Sequence, residues 1–265
     1  MNKHAVPAVA RNVATNISPG EREARENLAA FYRICHMFGW TELIYNHITA
    51  RVPGPERHFL INQFGLLYNE IAASNLVKID VDGRVVDGSN ARVNAPGFTI
   101  HSAIHMARED AHYIVHTHTT EGVTVACSEH GLSPHNFYGA QLYGEVAYHD
   151  FEGISIDLAE RERLVKSLGS KNYMILRHHG LLACGETAAA AFFRMYQLQR
   201  ACEVQVNTMK LGTELRPLDE AVLKRTMQQA QAAIAKGFDK SSGFGEDTYA
   251  ALIRQLDATG QKFRD

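Results

Sequence analysis

The 265-residue chain lacks the features that mark several large protein classes. Its 27 Lys and Arg against 29 Asp and Glu give a formal net charge of −2. No excess of positive charge is therefore available for nucleic acid, whose binders present a clustered basic surface. No apolar run approaches the roughly 20 residues needed to span a bilayer, so no membrane partner is expected. A signal-like apolar segment is also missing. Ala5 to Ala10 is short, broken by Pro7 and stopped by Arg11, which gives a cytoplasmic expectation. Cysteine is scarce: Cys35, Cys127, Cys184 and Cys202 are scattered among apolar neighbours without C-x-x-C spacing. That pattern argues against a thiolate zinc site or a disulfide frame and reads as reduced, packed thiols. Internal repeats and low-complexity tracts are absent. The hydrophobic content of 45% and the length suit one sizeable core.

What is present is an interleaving of short strands and helices. Ser18 and Pro19 form a helix start, and Leu28, Phe31, Tyr32, Cys35 and Phe38 continue it at helical spacing until Gly39. Residues 44–52 are strand-like, are turned by Pro53-Gly54-Pro55, and are answered by Phe59-Leu60-Ile61. A second hairpin is expected from 76–81 through Asp82-Gly83 to Arg84-Val85-Val86. Further helices are predicted over 99–108, 159–168, 187–211, 217–236 and 248–256. Tight turns make antiparallel pairs, whereas parallel pairs need long crossovers. The fold class that follows is α/β, a mixed and mainly antiparallel central sheet with helices on both sides. The expected organisation is a flexible N-terminal arm over 1–18, a main domain over 19–238, and a linker with a C-terminal helix over 239–265.

Two histidine clusters carry the chemistry. His116-Thr117-His118 ends the apolar run Tyr113-Ile114-Val115, and His178-His179-Gly180 follows Tyr173-Met174-Ile175-Leu176. Residues two apart on a strand share a face, so His116 and His118 project together. One more imidazole from a neighbouring strand end would complete a three-nitrogen site with an open position, the usual set for catalytic zinc. Iron, manganese and cobalt suit the same ligands. Neighbours on a strand diverge, so only one of His178 and His179 is expected to face the metal, and the pattern leaves open which. His101 and His105 form an i, i+4 pair, read as exposed helix histidines. His149-Asp150 reads as a loop cap or surface pair.

The segment 101–118, together with Ile175-Leu176-Arg177-His178-His179-Gly180-Leu181-Leu182-Ala183-Cys184, resembles the class II aldolase/adducin family. The likeness runs from about residue 26 to about residue 212. Asn46-His47-Ile48-Thr49-Ala50-Arg51, His101-Ser102-Ala103-Ile104 and Gly144-Glu145-Val146-Ala147-Tyr148-His149-Asp150 are similar to its adducin head-domain branch. The resemblance implies a three-layer α/β/α fold and metal ligands His116, His118 and His179, with His178 turned away to serve the fold. It also implies a homo-oligomer, a cyclic tetramer in which a neighbour completes each active site; Tyr249 or Arg254 are given that part. The apolar face of the helix over 187–211 points the same way.

The resemblance also exposes a departure. Family aldolases carry a Ser-Ser-Glu loop whose serines grip a substrate phosphate and whose glutamate moves a proton. Counted back from His116 without gaps, those positions are Ala95, Pro96 and Gly97. Glycine offers no titratable group. Gly97 thus becomes a substrate-site position without a side chain, and Asn46 stands where the family asparagine binds substrate. Replacements for the glutamate are Glu121, Glu145 and Tyr138, the last beside Phe137 near the family's catalytic tyrosine. The implied function is a metal-dependent lyase-like enzyme of aldolase, decarboxylase or dehydratase type. Its substrate would be a small, unphosphorylated hydroxy or keto compound. Two other classes stand beside it, a mononuclear iron oxygenase and a non-catalytic adducin-like assembly module. Adducin heads lack the metal histidines, whereas this chain keeps all three matched positions.

Overall fold

A computed structural model describes residues 17–153, 159–213, 215–236 and 241–265, with the backbone alone given for 95–97 and 234–236. The arm expected over 1–18 lies almost entirely outside the described residues, as does part of the linker after 238. The chain enters α1 (Pro19–Met37) at Ser18, whose hydroxyl oxygen accepts the Glu21 N–H at 3.1 Å. That bond satisfies a donor which the first turn leaves open. β1 (Ile48–Arg51) and β2 (Phe59–Asn62) form a hairpin, and β3 (Leu76–Ile79) pairs antiparallel with β2. The answering strand expected at 84–86 shrinks to one bridge between Ile79 and Val85. Side-chain carboxylates take the N–H groups a ladder would use. Asp80 accepts from Asp82 and Arg84, and Asp87 accepts from Lys78.

α2 (Ala95–Ala107) starts four residues before the predicted 99, with Pro96 in its first turn, where a missing N–H costs nothing. β4 (Tyr113–Thr117), α3 (Thr120–Cys127), α4 (Phe137–Gln141), β5 (Val146–His149), α5 (Glu160–Leu168), β6 (Tyr173–Leu176) and β7 (Gly180–Gly185) follow. The chain ends with α6 (Ala188–Met209), capped by the Thr187 hydroxyl, then α7 (Glu220–Lys236) and α8 (Glu246–Ala258). The seven strands lie in the order β3-β2-β1-β4-β7-β6-β5, antiparallel throughout except for the β5–β6 pair. This is the mixed, mainly antiparallel sheet that the turns predicted.

Strand alternation splits the core in two. Ile48, Ala50, Val115, Leu181 and Ala183 face α1, α6 and α8. Ile114, Leu182, Cys184, Met174 and Leu176 face α2 and α5. The C-terminal helix, expected to reach a neighbour, is packed on its own chain instead. Tyr249 is 6% exposed, its hydroxyl donates to the Asn27 carbonyl at 2.8 Å, and its ring meets Phe31 and Phe192. Phe263, beyond α8, is also buried, and its carbonyl accepts the Ala73 N–H. Burying these aromatic rings outweighs leaving the helix free. Among the described residues no helix is long and apolar enough to cross a membrane.

Candidate metal centre

His116 lies on β4 and His118 just past its end, on the α2-facing side of the sheet. His179 arrives from the connection between β6 and β7. This connection is a three-residue loop, not a strand continuation: the His179 N–H bonds to the Leu176 carbonyl at 3.0 Å, and Leu176 pairs with Gly180. His178 occupies the left-handed region at φ +56°, a conformation a short loop of this kind requires. His178 therefore diverges from His179 because of a turn. It is exposed rather than packed into the fold, and it lines an open cavity of about 580 Å³ with Phe151 and Arg177.

Gly180 makes the convergence possible. A Cβ there would strike the Thr117 carbonyl oxygen and sit 3.1 Å from the His118 ring and 3.3 Å from the His116 ring. Without one, the three imidazoles come together with centroids 4.6, 4.7 and 4.8 Å apart. Their ligand nitrogens all lie within 4.8 Å of one another. His116 Nδ1 is 2.9 Å from the Leu181 carbonyl oxygen. A carbonyl only accepts, so Nδ1 bears the proton and Nε2 turns a lone pair inward. That Nε2 lies 2.8 Å from His118 Nε2, close enough to need a proton or a cation between them. Tetrahedral zinc, with Zn–N near 2.0–2.1 Å, would hold two such nitrogens about 3.3 Å apart. The trio fits an ion after a small opening.

Electrostatics favour neutral ligands. Burial holds the His116 imidazolium well below its ordinary range, with His179, His118 and His47 adding to the effect. Burial also lowers His118, opposed by the Glu42 carboxylate. His179 is pushed down to about 4 by burial and then by His118. Neutral imidazole is the metal-binding form.

Asn46 is 2% exposed; its amide donates to the His116 carbonyl at 3.2 Å, and its Oδ1 has no hydrogen-bond partner among the described residues. Gly97 lies in the first turn of α2, and its surroundings fall outside the described residues. Tyr138 is not brought to this trio. It lines a cavity of about 250 Å³ with Phe137, Phe193, Tyr196 and Phe244. Glu145 precedes β5 at the end away from His149, and its carboxylate accepts from Gln231 on α7 at 2.9 Å. Glu121 sits in the first turn of α3. Arg254 is exposed on α8.

Sequence reasoning missed the buried histidines behind the centre. His101 and His105 are each 1% exposed and both contact Thr49 Oγ1 at 2.8 Å. The exposed reading fails because α2 turns this face to the sheet. His149 is likewise buried, not a surface residue; it meets Ser167 Oγ at 3.0 Å and Glu160 at 3.5 Å, tying β5 to α5. Phe151 was also missed. It is half exposed, with its ring 6.4 Å from that of His179.

Residues 26–206 match the family described as Class II Aldolase and Adducin N-terminal domain. The chain belongs to this family. It is similar to an aldolase II superfamily protein from Pseudomonas syringae, with 43% identity, coverage of 96% of this chain and 100% of that one, and a TM-score of 0.87. It is also similar to an L-fuculose 1-phosphate aldolase from Glaciozyma antarctica, with 27% identity, coverage of 97% and 99%, and a TM-score of 0.78. Alpha-adducin of Rattus norvegicus is 44% identical over 92% of this chain, which spans 34% of that protein.

Burial sets a pH dependence for the metal-free fold. His105 is held at about 3 by burial and by Arg51, while His101 and His116 are also lowered. In the unfolded chain these groups regain a value near 6.5. Between those limits the unfolded state binds more protons, so stability falls as pH drops through 6.5 and keeps falling toward 3. The urea midpoint in chelator is expected to decline steeply from pH 6.5 to pH 5 after little change between 8 and 7.5. An unchanged midpoint down to pH 5 would contradict the neutral buried histidines.

Proposed function

We propose that the chain is a metal-dependent lyase-like enzyme. It holds one divalent ion on His116, His118 and His179 and acts on a small, unphosphorylated hydroxy or keto compound by aldolase, decarboxylase or dehydratase chemistry. Zinc is the first choice of ion; iron, manganese and cobalt follow. The observation that carries this reading is the convergence of three imidazoles with the His116 lone pair fixed inward. A bound ion of this kind supplies Lewis acidity to a substrate carbonyl or enediolate oxygen.

The chain's own residues then have separable parts. The Leu181 carbonyl orients His116, while half-buried His118 and His179 leave the centre open on one side. Asn46 Oδ1 offers an acceptor for a substrate hydroxyl, and Phe151 an apolar wall beside His179. Ala95-Pro96-Gly97 supplies no hydroxyl to hold a phosphate and no carboxylate to move a proton, which argues against the sugar-phosphate chemistry named for its fuculose-phosphate relative. A homo-oligomer, with a cyclic tetramer preferred, belongs to the same reading. Phe137 on α4 is 74% exposed, and Leu211 beyond α6 is 79% exposed; each is an apolar side chain available to a second copy. Tyr138, next to Phe137 and away from its own chain's trio, would then be offered to a neighbour's centre. The likeness to alpha-adducin supports a second reading, an assembly module, which metal content separates from the first.

Metal analysis of purified protein should give one divalent ion per chain. His179→Ala should abolish that content and His178→Ala should preserve it; the reverse pattern would sink the ligand assignment. In a substrate screen, turnover of roughly 1–1,000 per second is expected on a hydroxy or keto acid. Fuculose 1-phosphate cleavage should be absent or far slower, and comparable rates on it would overturn the unphosphorylated class. Light scattering at micromolar concentration should report four times the 29.5 kDa of one chain; a monomer mass would refute the oligomer.

A further inference from the structure

Thr49 stands between two histidines of α2. His101 and His105 are one helical turn apart and so share a face. Thr49 Oγ1 lies 2.8 Å from His101 Nδ1 and 2.8 Å from His105 Nε2. The proton positions follow from the far end of this chain. His105 Nδ1 is 2.8 Å from the Ala111 carbonyl oxygen, which only accepts, so Nδ1 carries the proton. The Nε2 of neutral His105 is then an acceptor, and the Thr49 hydroxyl donates its hydrogen bond to it. The Thr49 oxygen in turn accepts from His101 Nδ1–H. His101 is thereby fixed in one tautomer, with a bare lone pair on Nε2. That nitrogen is buried and has no hydrogen-bond partner among the described residues.

The ring packed on His101 is that of His47, with centroids 4.2 Å apart, and the His47 ring lies 6.0 Å from that of His116. Strand register explains the second contact. Ile48 pairs with Val115 and Thr49 with Ile114, so the same antiparallel count sets His47 opposite His116. Directly opposed side chains on one sheet face are neighbours, with Cβ atoms about 4.5–5.5 Å apart. Asn46, the preceding residue, holds the His116 carbonyl. The path from α2 to the metal ligand is therefore continuous: His105, Thr49, His101, His47, His116.

We propose that Thr49, His101 and His105 are positioning residues for the metal centre: their fixed-proton chain clamps α2 to β1 and holds His47 against the back of His116. This rests on the metal reading of His116, His118 and His179. Loss of partners behind a metal-bound histidine weakens binding by about 10–100-fold, and a similar loss is expected here.

The test is titration of the metal-free full chain with Co²⁺, read by its d–d absorption and fitted for affinity, alongside thermal unfolding. Thr49→Val removes the hydroxyl that links the two histidines, and Thr49→Ser restores it. His101→Asn keeps an amide N–H near the Nδ1 position but removes the ring against His47. Thr49→Val and His101→Asn should each weaken Co²⁺ binding by about 10–100-fold with altered d–d bands, while Thr49→Ser stays within about threefold of wild type. If Thr49→Val does not fold, His101→Asn decides. Wild-type affinity and spectrum in His101→Asn and in any folded Thr49→Val, even with lowered melting temperature, would overturn the proposal and leave the network a purely structural one. Equal weakening in Thr49→Ser and Thr49→Val would also overturn it. Absence of Co²⁺ binding by wild type would instead bring down the metal reading, and this inference with it.

Discussion

The close approach of β7 to β4 at Gly180 is the constraint on which the candidate centre depends. β4 presents His116 and His118, and β7 starts one residue after His179. Any side chain at position 180 would collide with the Thr117 carbonyl and crowd both rings of the β4 pair. The same approach brings the Leu181 carbonyl to His116 Nδ1, so one backbone contact sets both the position of the third histidine and the tautomer of the first. The loop that delivers His179 closes in three residues. Its short span requires a left-handed residue, and His178 accepts that conformation.

The two faces of the sheet are built on different terms. Around α1, α6 and α8 the packing is dominated by aliphatic and aromatic side chains, with Phe31, Phe192 and Tyr249 in mutual ring contact. Beneath α2 the apolar cluster is interrupted by Thr49, His47, His101, His105 and His116, all nearly fully buried. Burying hydroxyl and imidazole groups costs free energy unless they are bonded. Here most of their capacity is met by one another and by two carbonyls, those of Ala111 and Leu181. A polar patch inside a core breaks the simplest packing rule, and such breaks concentrate where a fold serves chemistry.

The sequence made some of this legible and hid the rest for identifiable reasons. Period-two alternation was enough to pair His116 with His118, and Ser18-Pro19 and Thr187 marked helix starts that the structure keeps. Selecting His179 over His178 took the family likeness, because the divergence comes from a turn and not from strand alternation. His101 and His105 were misread as exposed because i, i+4 spacing states which residues share a helix face and not what that face meets. The relation of His47 to His116 needs the β1–β4 register, a contact across nearly seventy residues that no local pattern encodes. Tyr249 was assigned to a neighbour for the opposite reason: a polar, glycine-containing stretch before it reads as a linker, while its burial is decided by α1, which is far away in sequence.

The helix that carries the family departure also limits how it is made good. Position 97 lies four residues before His101, and His101 four before His105, so the three fall on one side of α2. The next polar group along that side is His101, but its Nδ1 is engaged with Thr49 and its ring is 1% exposed. A side chain so placed cannot follow a substrate proton as a carboxylate at 97 could. On the lyase reading the replacement is sought off this helix face, in the Glu42 carboxylate, which already acts on His118, or in a second copy. On that reading the proton-moving group would be separate from the contacts that fix His116, the Leu181 carbonyl at Nδ1 and Asn46 on its carbonyl.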